Sequence, residues 1–419
     1  MRYALNKESF LMPHRRSRYL EPLIKRGLSH KGIVGVFGHR QVGKSTLIEA
    51  LAQRYSTLDR ITELTRANEN PSSFIHDLCK TESGKNVSPV AIDECQLAPS
   101  LFPEIKEYVR LHPKPGQFLL SGSVRFTSKK AIRESLTGRL LTYELLPFSV
   151  SELESKPINT LLLQLMNCKD FRSFEFETRG VLGLKKNKQA QKYLIRGGLP
   201  GICFVRDDRD RSDLLNSQLQ LILDRDLRLI CDTEVSFSRL FILTQILAQN
   251  QNRPLNLSEL SRKARISSPT LRKILAGLES IFMIRILHCE GNEVRPVLFF
   301  EDQGEAHFLA SGRYDSMDDL ERLAYSHLRT PLNYEHGLQF RCFQYRQQGG
   351  AYIPFVFEVG KQIIGFDCSL EERSSLSQLK SAGSLRAHFP RAKVVHLHPG
   401  RDVQVISGDE CSLPIELFL

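Results

Sequence analysis

The residues best suited to chemistry lie in a glycine loop between positions 38 and 46. Gly38 and Gly43 enclose four residues, and Lys44 and Ser45 follow directly. This spacing is typical of a phosphate-binding loop, whose glycines let backbone N–H groups turn towards phosphate oxygens. Lys44 would contribute positive charge in catalysis, and the Ser45 hydroxyl would hold Mg²⁺. The sequence therefore predicts a nucleotide site made of Gly38, His39, Arg40, Gln41, Val42, Gly43, Lys44, Ser45 and Thr46.

Two adjacent carboxylates follow a second apolar run. Asp93 and Glu94 come directly after residues 89–92, which are apolar and favour a buried strand. In combination with the glycine loop, Asp93 is predicted to hold Mg²⁺ and Glu94 to polarise the attacking water. The alternative is an acidic strand end at the surface.

Two further positions are candidates for contacts to the phosphates. Ser121 ends the apolar run that starts at Phe118, and either Ser121 or Ser123 would sense the terminal phosphate or orient the attacking water, with Ser121 taken as the predicted nucleotide contact. Arg139 follows, and a guanidinium spreads over several phosphate oxygens, so it is predicted to be catalytic. It would act on the nucleotide of its own chain or on that of a neighbour in a ring. A strand terminus and a surface arginine are the alternatives.

The elements that must position these groups alternate between strands and helices. Predicted strands are Ile33–Phe37, Val90–Asp93 and Gln117–Ser121, and predicted helices are Lys44–Tyr55 and Ser100–Leu111. Such alternation favours a parallel sheet covered on both faces. The predicted fold of residues 1–150 is an α/β P-loop NTPase, with residues 1–31 leading into it.

The rest of the chain divides by pattern into a helical part, 151–289, and a small α/β part, 290–419. Ser212–Leu229 has apolar residues at helical spacing, and the glycine-rich stretch Arg196–Gly201 is predicted to be a loop. Short β-like runs in the last part are Val297–Phe300, Phe340–Tyr345, Ile353–Val359, Ile363–Asp367 and Lys393–His398.

A helix-turn-helix pattern lies in the second part. Leu257–Ala264 and Ser268–Glu279 are predicted helices around a short turn, with Ser268 as the cap and Pro269 at the first helical position, and Phe282–Leu287 would begin a wing. Its basic residues would neutralise DNA phosphates. The alternative is a winged helix used only for packing beside an ATPase. The predicted DNA contacts are Arg262, Lys263, Arg265, Arg272 and Lys273.

Composition is compatible with these predictions. The chain has 419 residues, a net charge of +11 and a pI of about 9.2, which favours an acidic polymer as partner. Its nine cysteines form no C-x-x-C pair, which disfavours zinc sites and disulfides, and no apolar run has the length of a membrane span. These features predict a cytoplasmic protein.

Taken together, the motifs resemble those of prokaryotic AAA-type ATPases that carry a C-terminal region of unknown function, DUF4143. The resemblance covers nearly the whole chain. It implies ATP as the nucleotide, and ATPase roles for Lys44, Asp93, Glu94 and Arg139. The matching segments are residues 38–45, 55–59, 92–99, 120–123, 138–139, 146–153, 197–200 and 224–227.

In that family the last region resembles a restriction endonuclease, with a helix Glu, a strand Asp and a Glu-x-Lys on the next strand. Here Glu321 supplies the helix acid, but Pro354 stands for the Asp, Asp367 for the Glu and Ser369 for the Lys. The metal site and the activator of water are then incomplete, so a structural or binding role is predicted. If this chain is aligned to the nuclease motif in a different register, the acidic residues of the site would be Asp315, Asp318, Asp319 and Glu358.

The leading hypothesis is therefore an ATPase that couples ATP binding and hydrolysis to a conformational change on DNA, without nuclease activity. Arg139 suggests in addition that subunits act on one another in a homo-oligomer. Two alternatives remain open: an ATP-gated switch acting on a protein partner, and an ATP-regulated nuclease.

Overall fold

The computed structural model describes residues 16–81, 83–125, 138–291, 295–373 and 375–419. The first half of the predicted lead-in and the two residues before Gly138 lie outside these ranges. No helix among the described residues is long and apolar enough to cross a membrane.

The first sheet is parallel, as the alternating pattern predicts. Its five strands have the order β2-β3-β4-β1-β5, and every pairing is parallel. The strands are Ile33–Gly38 (β1), Arg54–Thr57 (β2), Val90–Asp93 (β3), Phe118–Gly122 (β4) and Leu140–Leu145 (β5). The helices around them are Leu20–Leu28 (α1), Lys44–Leu51 (α2), Ile61–Glu69 (α3), Pro71–Leu78 (α4) and Leu101–Leu111 (α5).

One helix of this unit is shorter than predicted. The predicted helix Lys44–Tyr55 ends at Leu51, because Ala52 is extended and Tyr55 belongs to β2, where it pairs with Ala91. The edge strand gains a full ladder of hydrogen bonds in this way, which outweighs the helical spacing of the apolar residues. The carboxyl ends of β1, β2, β3 and β4 thereby meet at one edge of the sheet.

The helical part wraps around this edge. Its helices are Val150–Leu153 (α6), Leu161–Asn167 (α7), Lys188–Arg196 (α8), Asp208–Leu221 (α9), Phe237–Gln249 (α10), Leu257–Ala264 (α11) and Ser268–Ser280 (α12). The predicted helix Ser212–Leu229 is interrupted by a π-helical turn, Ile222–Asp226, that follows α9 directly. The side chain that caps α12 is that of Ser267 rather than the predicted Ser268.

An antiparallel pair follows α12. Ile284–Leu287 (β6) pairs with Val297–Phe300 (β8), and Cys289–Gly291 (β7) lies between them in the chain. Val297–Phe300 thus pairs with the end of the helix-turn-helix segment, although its sequence position suggested the last part of the chain. The next helices are Gln303–Leu309 (α13) and Ser316–Asn333 (α14).

The second sheet has seven strands in the order β13-β14-β12-β11-β10-β9-β7. Its core also contains residues 150–194, since Leu162, Leu165 and Tyr193 pack with Phe355 and Phe366. The packing of apolar side chains therefore extends across both boundaries, 150/151 and 289/290, at which the sequence pattern divided the chain into three parts. The remaining elements are Arg341–Arg346 (β9), Tyr352–Val359 (β10), Gln362–Cys368 (β11), Leu376–His388 (α15), Lys393–His398 (β12), Gln404–Val405 (β13) and Glu410–Pro414 (β14).

Candidate functional site

The glycine loop joins β1 to α2 at the carboxyl edge of the first sheet. Gly43 is in the left-handed region, with φ of 94°, and α2 begins at Lys44. The Lys44 ammonium is buried and donates to the carbonyls of Gly38, at 3.0 Å, and His39, at 2.8 Å. Burial lowers the pKa of Lys44, while Glu94 and Asp93 oppose that shift. The lysine is thus held against the loop and close to the two acids.

Asp93 is positioned by hydroxyl groups from two neighbouring strands. The Tyr55 hydroxyl donates to its Oδ2 at 2.8 Å, and the Ser121 hydroxyl donates to its Oδ1. Tyr55 is also within hydrogen-bonding range of Ser45, and burial, with Asp93 beside it, raises the pKa of the Tyr55 phenol. The structure therefore brings Ser45, Asp93 and Ser121 together, and it adds Tyr55, which opens the matching segment 55–59 but had no predicted role in the site.

Glu94 lies next to Asp93 in a left-handed conformation, with φ of 55°, that turns its side chain away from the strand. Its carboxylate accepts hydrogen bonds from Ser123, at 3.2 Å, and from Gln96. Burial raises the pKa of Glu94, Lys44 opposes the shift and Asp93 adds to it. A raised pKa brings this carboxylate closer to the range in which it can accept a proton at neutral pH.

The two polar side chains within the glycine loop each contact a carboxylate from the second half of the chain. The Arg40 guanidinium is 2.9 Å from Asp226 in the π-helical turn, and His39 Nε2 is 3.2 Å from Glu305 on α13. Burial alone would lower the pKa of His39, but Glu305 raises it above the usual value. Both side chains therefore tie the glycine loop to the second half of the chain, and their contact with the nucleotide stays a prediction.

A buried arginine before α1 supports the loop from beneath. Arg18 donates to the backbone carbonyls of Val42, at 2.7 Å, and Leu146, at 2.5 Å, and its Nε is 3.1 Å from the Glu152 carboxylate. Its guanidinium lies 4.3 Å from the centre of the Phe148 ring. No recognisable motif surrounds Arg18, so sequence reasoning missed it.

A second arginine near the acids was also missed as a functional group. Arg225 in the π-helical turn lies 2.7 Å from Asp59, which follows β2, and the charge of Glu94 is close enough to help raise the pKa of Arg225. Both side chains of this pair are 41% exposed, so the ion pair is easily exchanged for another partner. Arg225 is thus a cation outside the loop that lies near the two acids.

Arg139 lies at the opposite edge of the sheet. It precedes β5, whose first residue pairs with Ile33 at the start of β1, while the loop follows the end of β1. A strand of that length separates Arg139 from the loop by roughly 17–20 Å. The prediction that Arg139 contacts the nucleotide of its own chain is therefore wrong. Arg139 precedes β5 and lies at the edge of the sheet where β1 starts, whereas the glycine loop lies at the edge where β1 ends. Arg139 instead lines a depression with Lys31 and Lys114.

The arrangement fits a nucleotide with Mg²⁺. The first N–H groups of α2 have no acceptor within the helix, and they begin at Lys44, where positive partial charge collects. Ser45 and Thr46 are exposed there, and Asp93 is held within reach of Ser45 through Tyr55. Oxygen donors of this kind are the ligands that Mg²⁺ prefers.

All five predicted DNA contacts are exposed. Arg262 and Lys263 end α11, Arg265 is in the turn with φ of 54°, and Arg272 and Lys273 lie on the outer face of α12. The inner face of α12 packs closely on the segment after the π-helical turn. A Cβ on Gly277 would lie 2.6 Å from Leu227, so glycine permits this approach.

The acids of the second sheet do not form one site. Glu321 is on α14, which packs on the face that carries Phe366, whereas α15 packs on the other face, with Ile353 and Val394. Asp367 follows Phe366 in β11, so it faces α15 and not Glu321, because side chains alternate along a strand. The expected partnership of Glu321 with Asp367 is therefore wrong. The described residues include no group of three His, Cys, Asp or Glu side chains suited to a metal.

Asp367 instead interacts with His396, whose Nδ1 is 3.3 Å away, and the other ring nitrogen of His396 is 3.0 Å from Glu410. Burial alone would lower the pKa of His396, but hydrogen bonds to the two carboxylates raise it. Burial raises the pKa of Glu321 to about 7.

Two family models match the chain. Residues 30–154 match the model of an AAA domain, and residues 187–310 match that of a domain of unknown function, DUF8612. The resemblance implied that the C-terminal region is DUF4143. The matching family model is a different one, DUF8612. The loop, the parallel sheet and the AAA match agree on an AAA-type P-loop ATPase domain in the first part of the chain.

Among curated proteins, the chain is 23% identical over 422 residues to the uncharacterized proteins Mb2031c of Mycobacterium bovis and Rv2008c of Mycobacterium tuberculosis, covering 94% of this chain and 83% of each relative. Among solved structures, a replication initiator DnaA bound to AMPPCP and single-stranded DNA aligns at 14% identity with a TM-score of 0.28, over 63% of this chain and 88% of that one. A DNA polymerase III gamma subunit-related protein from Thermotoga maritima aligns at 14% identity with a TM-score of 0.25, over 62% and 99% of the two chains.

Proposed function

We propose that this chain is a Mg²⁺-dependent ATPase that couples ATP binding and hydrolysis to a conformational change on DNA. One continuous set of contacts supports the proposal most directly. Arg40 in the phosphate loop pairs with Asp226, Leu227 follows Asp226 in the chain, and Leu227 packs on Gly277 of α12. The outer face of the same helix carries Arg272 and Lys273. A conformational change of the phosphate loop on nucleotide binding would thus be transmitted through these contacts to the basic outer face of α12.

The residues of the site divide the chemistry among them. Lys44 and the N–H groups of α2 bind the phosphates, and Ser45 and Asp93 would hold the metal. Bound Mg²⁺ supplies positive charge to the phosphate oxygens. Glu94, with its raised pKa, accepts a proton from water, while Ser123 and Gln96 hold its carboxylate in place. Arg225 would leave Asp59 for the terminal phosphate.

A second connection links the acids to the same helix. Ser123 hydrogen-bonds Glu94, and two residues further on the Arg125 backbone N–H donates to Ser280, the last residue of α12, at 2.7 Å. The Arg125 side chain donates to the Glu279 carbonyl at 2.9 Å and stacks over Phe282 at 4.3 Å. Both sides of the nucleotide site therefore contact the end or the inner face of α12.

The test is ATP turnover with and without duplex, branched and single-stranded DNA at two salt concentrations. We expect one DNA form to stimulate the wild type at low salt only, because phosphate contacts weaken steeply with salt. The Glu94→Gln variant should bind ATP and lose at least about 100-fold in turnover, since it loses its general base. Lys44→Ala should weaken ATP binding.

The double variant Arg272→Ala/Lys273→Ala should lose DNA stimulation and keep its basal turnover. A matched control removes two other exposed lysines of the ATPase domain, Lys85→Ala/Lys106→Ala, and should behave as wild type. Turnover indifferent to every DNA form would refute DNA coupling and favour a switch acting on a protein partner.

The proposal includes no nuclease activity, because Glu321 and Asp367 lie on opposite faces of their sheet and Ser369 supplies no cation. Incubation of plasmid DNA with the protein and Mg²⁺ or Mn²⁺ should leave it intact. Cleavage that is lost in Asp367→Ala would contradict this. For Arg139, the remaining role is contact with the nucleotide of a neighbouring subunit in a homo-oligomer, where its depression with Lys31 and Lys114 would face that subunit's phosphates.

A further inference from the structure

The imidazole ring of His39 is a buried titratable group to which the chemistry of the site assigns no task. It lies within the glycine loop and is 1% exposed. Both of its nitrogens are at hydrogen-bonding distance from an oxygen atom. Nδ1 is 2.7 Å from the Arg40 carbonyl oxygen, and Nε2 is 3.2 Å from a carboxylate oxygen of Glu305 on α13.

These two oxygen atoms determine where the ring carries hydrogen. A carbonyl oxygen only accepts a hydrogen bond, so Nδ1 must donate; a carboxylate also accepts, so Nε2 must donate as well. A ring with hydrogen on both nitrogens is the imidazolium cation. The negative charge of Glu305 raises the pKa of His39 against the opposing effect of burial, which agrees with this assignment. The loop therefore contains a buried positive charge besides that of Lys44.

Glu305 depends on this cation in turn. Its side chain is fully buried, and among the described residues its Oε1 atom has no hydrogen-bond partner. A buried carboxylate is costly unless a cation lies beside it, and the His39 ring is the cation that contacts Oε2. The pair therefore joins the loop to α13 as long as the ring keeps both protons.

The charged groups around the ring come from two elements. From α13 and its cap come Glu305 and Asp302, and burial raises the pKa of Asp302 to about 6, so this second carboxylate is also ionised at neutral pH. The glycine loop itself contributes Arg40, which is paired with the π-helical turn, and Lys44. The acids that favour the imidazolium form thus lie in the second half of the chain.

His39 also holds the lysine of the site. The Lys44 ammonium donates to the His39 carbonyl at 2.8 Å. The Glu305 carboxylate, the His39 ring and the His39 carbonyl therefore form a continuous set of contacts from α13 to Lys44. Loss of one proton from the ring would remove the ion pair and leave one ring nitrogen, without its hydrogen, facing an oxygen atom.

We propose that His39 is a positioning residue of the ATP site, which holds the glycine loop in its nucleotide-binding shape only as an imidazolium cation paired with Glu305. The proposal rests on the proposed ATPase function. The ion pair is present at low pH and is lost as pH rises through the pKa of the ring. Affinity for ATP should then fall by up to about tenfold per pH unit above that point.

The first experiment compares pH profiles of binding in the 419-residue chain. The Kd of a fluorescent, non-hydrolysable ATP analogue with Mg²⁺ is measured by anisotropy between about pH 6 and pH 9. Wild type should lose at least about tenfold in affinity relative to His39→Gln, whose profile contains only the titrations of the nucleotide and of Lys44. Glu305→Gln should move the midpoint by about one pH unit or more to lower pH, because the ring loses the charge that holds its proton.

A histidine on the same helix is the matched control. Burial lowers the pKa of His307 to about 4, so its ring is neutral over the whole range of the assay. His307→Gln should therefore keep the wild-type profile. A control that changes the profile as His39→Gln does would overturn the proposal, since the effect would then come from disturbance of α13.

The second experiment observes the protons directly, by ¹⁵N NMR of labelled histidines without nucleotide. At neutral pH the His39 ring, identified by its loss in His39→Gln, should carry hydrogen on both nitrogens. A neutral ring in wild type, or equal pH profiles for wild type and His39→Gln, would overturn the proposal. If His39→Gln does not fold, the midpoint shift in Glu305→Gln gives the same comparison. Absence of ATP binding at every pH would refute the ATPase function itself, and the NMR spectrum distinguishes that case because it needs no nucleotide.

Discussion

Replacing Arg18 by Ala should destabilise the protein and weaken ATP binding together. The Glu152 carboxylate is fully buried and has Arg18 as its cation at 3.1 Å. Its other contacts are the N–H groups of Tyr19, at 3.0 Å, and Ser149, at 3.2 Å. Removal of one partner of a buried pair typically costs about 3–5 kcal/mol, because the remaining charge is left without a counter-charge.

The loop contributes a further, smaller effect. The Val42 carbonyl loses its donor at 2.7 Å, and one such hydrogen bond contributes about 1 kcal/mol, or roughly fivefold in affinity if the loop must regain its shape on binding. Water that enters the space left by the Arg18 side chain replaces part of the lost hydrogen bonding. We therefore expect the free energy of unfolding to fall by about 3–5 kcal/mol, and the Kd for ATP to rise about fivefold.

Urea unfolding followed by far-UV circular dichroism measures the first quantity, which suits a chain without tryptophan. The variant Arg18→Ala/Glu152→Gln should recover at least about 1 kcal/mol relative to Arg18→Ala, because the unpaired charge is removed. Arg26→Ala, on the exposed face of α1, is the control and should change stability by less than about 0.5 kcal/mol. A loss below about 1 kcal/mol in Arg18→Ala would refute the reasoning.

Three other changes have definite expected outcomes. Gly198→Ala should destabilise the protein by more than about 2 kcal/mol, since its Cβ would lie 2.2 Å from the Phe148 carbonyl oxygen, whereas Gly201→Ala has 3.7 Å of clearance and should be nearly neutral in thermal unfolding. Glu321, with a pKa of about 7 in the folded state, stabilises the fold below its unfolded pKa and loses that contribution as pH rises through 7. The stability of wild type relative to Glu321→Gln should therefore fall between pH 5 and pH 8, and a constant difference would argue against the raised pKa. Arg272→Ala should reduce the slope of log affinity for DNA against log salt by about one, measured by fluorescence anisotropy, and an unchanged slope would remove it from the phosphate contacts.

The parts of the site that the sequence could predict are those encoded by neighbouring residues. The glycine loop, Asp93 with Glu94, and the strands before them all follow from short patterns, and the structure places them at one edge of a parallel sheet. A local pattern also misleads where tertiary pairing competes with it, as in the helix predicted through Tyr55. Side-chain spacing favoured the helix, but pairing of Tyr55 with Ala91 in β2 decided the outcome.

The missed residues are distant in sequence from the groups they support. Asp226 is 186 residues from Arg40, and Glu305 is 266 residues from His39. A single sequence carries no local mark of such pairs, because their meaning depends on how the chain folds back. The face occupied by Asp367 was equally hidden, since it depends on the packing of α14 and α15 on opposite sides of the sheet.

These long-range ties also decide what a shortened version of the protein would do. A fragment made of residues 30–154 would contain the whole glycine loop and both acids, yet it would lack Arg18, Asp226 and Glu305. The Arg40 and His39 side chains would then have no acidic partner, and the Val42 carbonyl would lose its donor. An excised ATPase domain that is inactive or aggregates would therefore say little about the intact chain. Variants are better compared in the 419-residue chain, where the loop keeps the contacts that hold its shape.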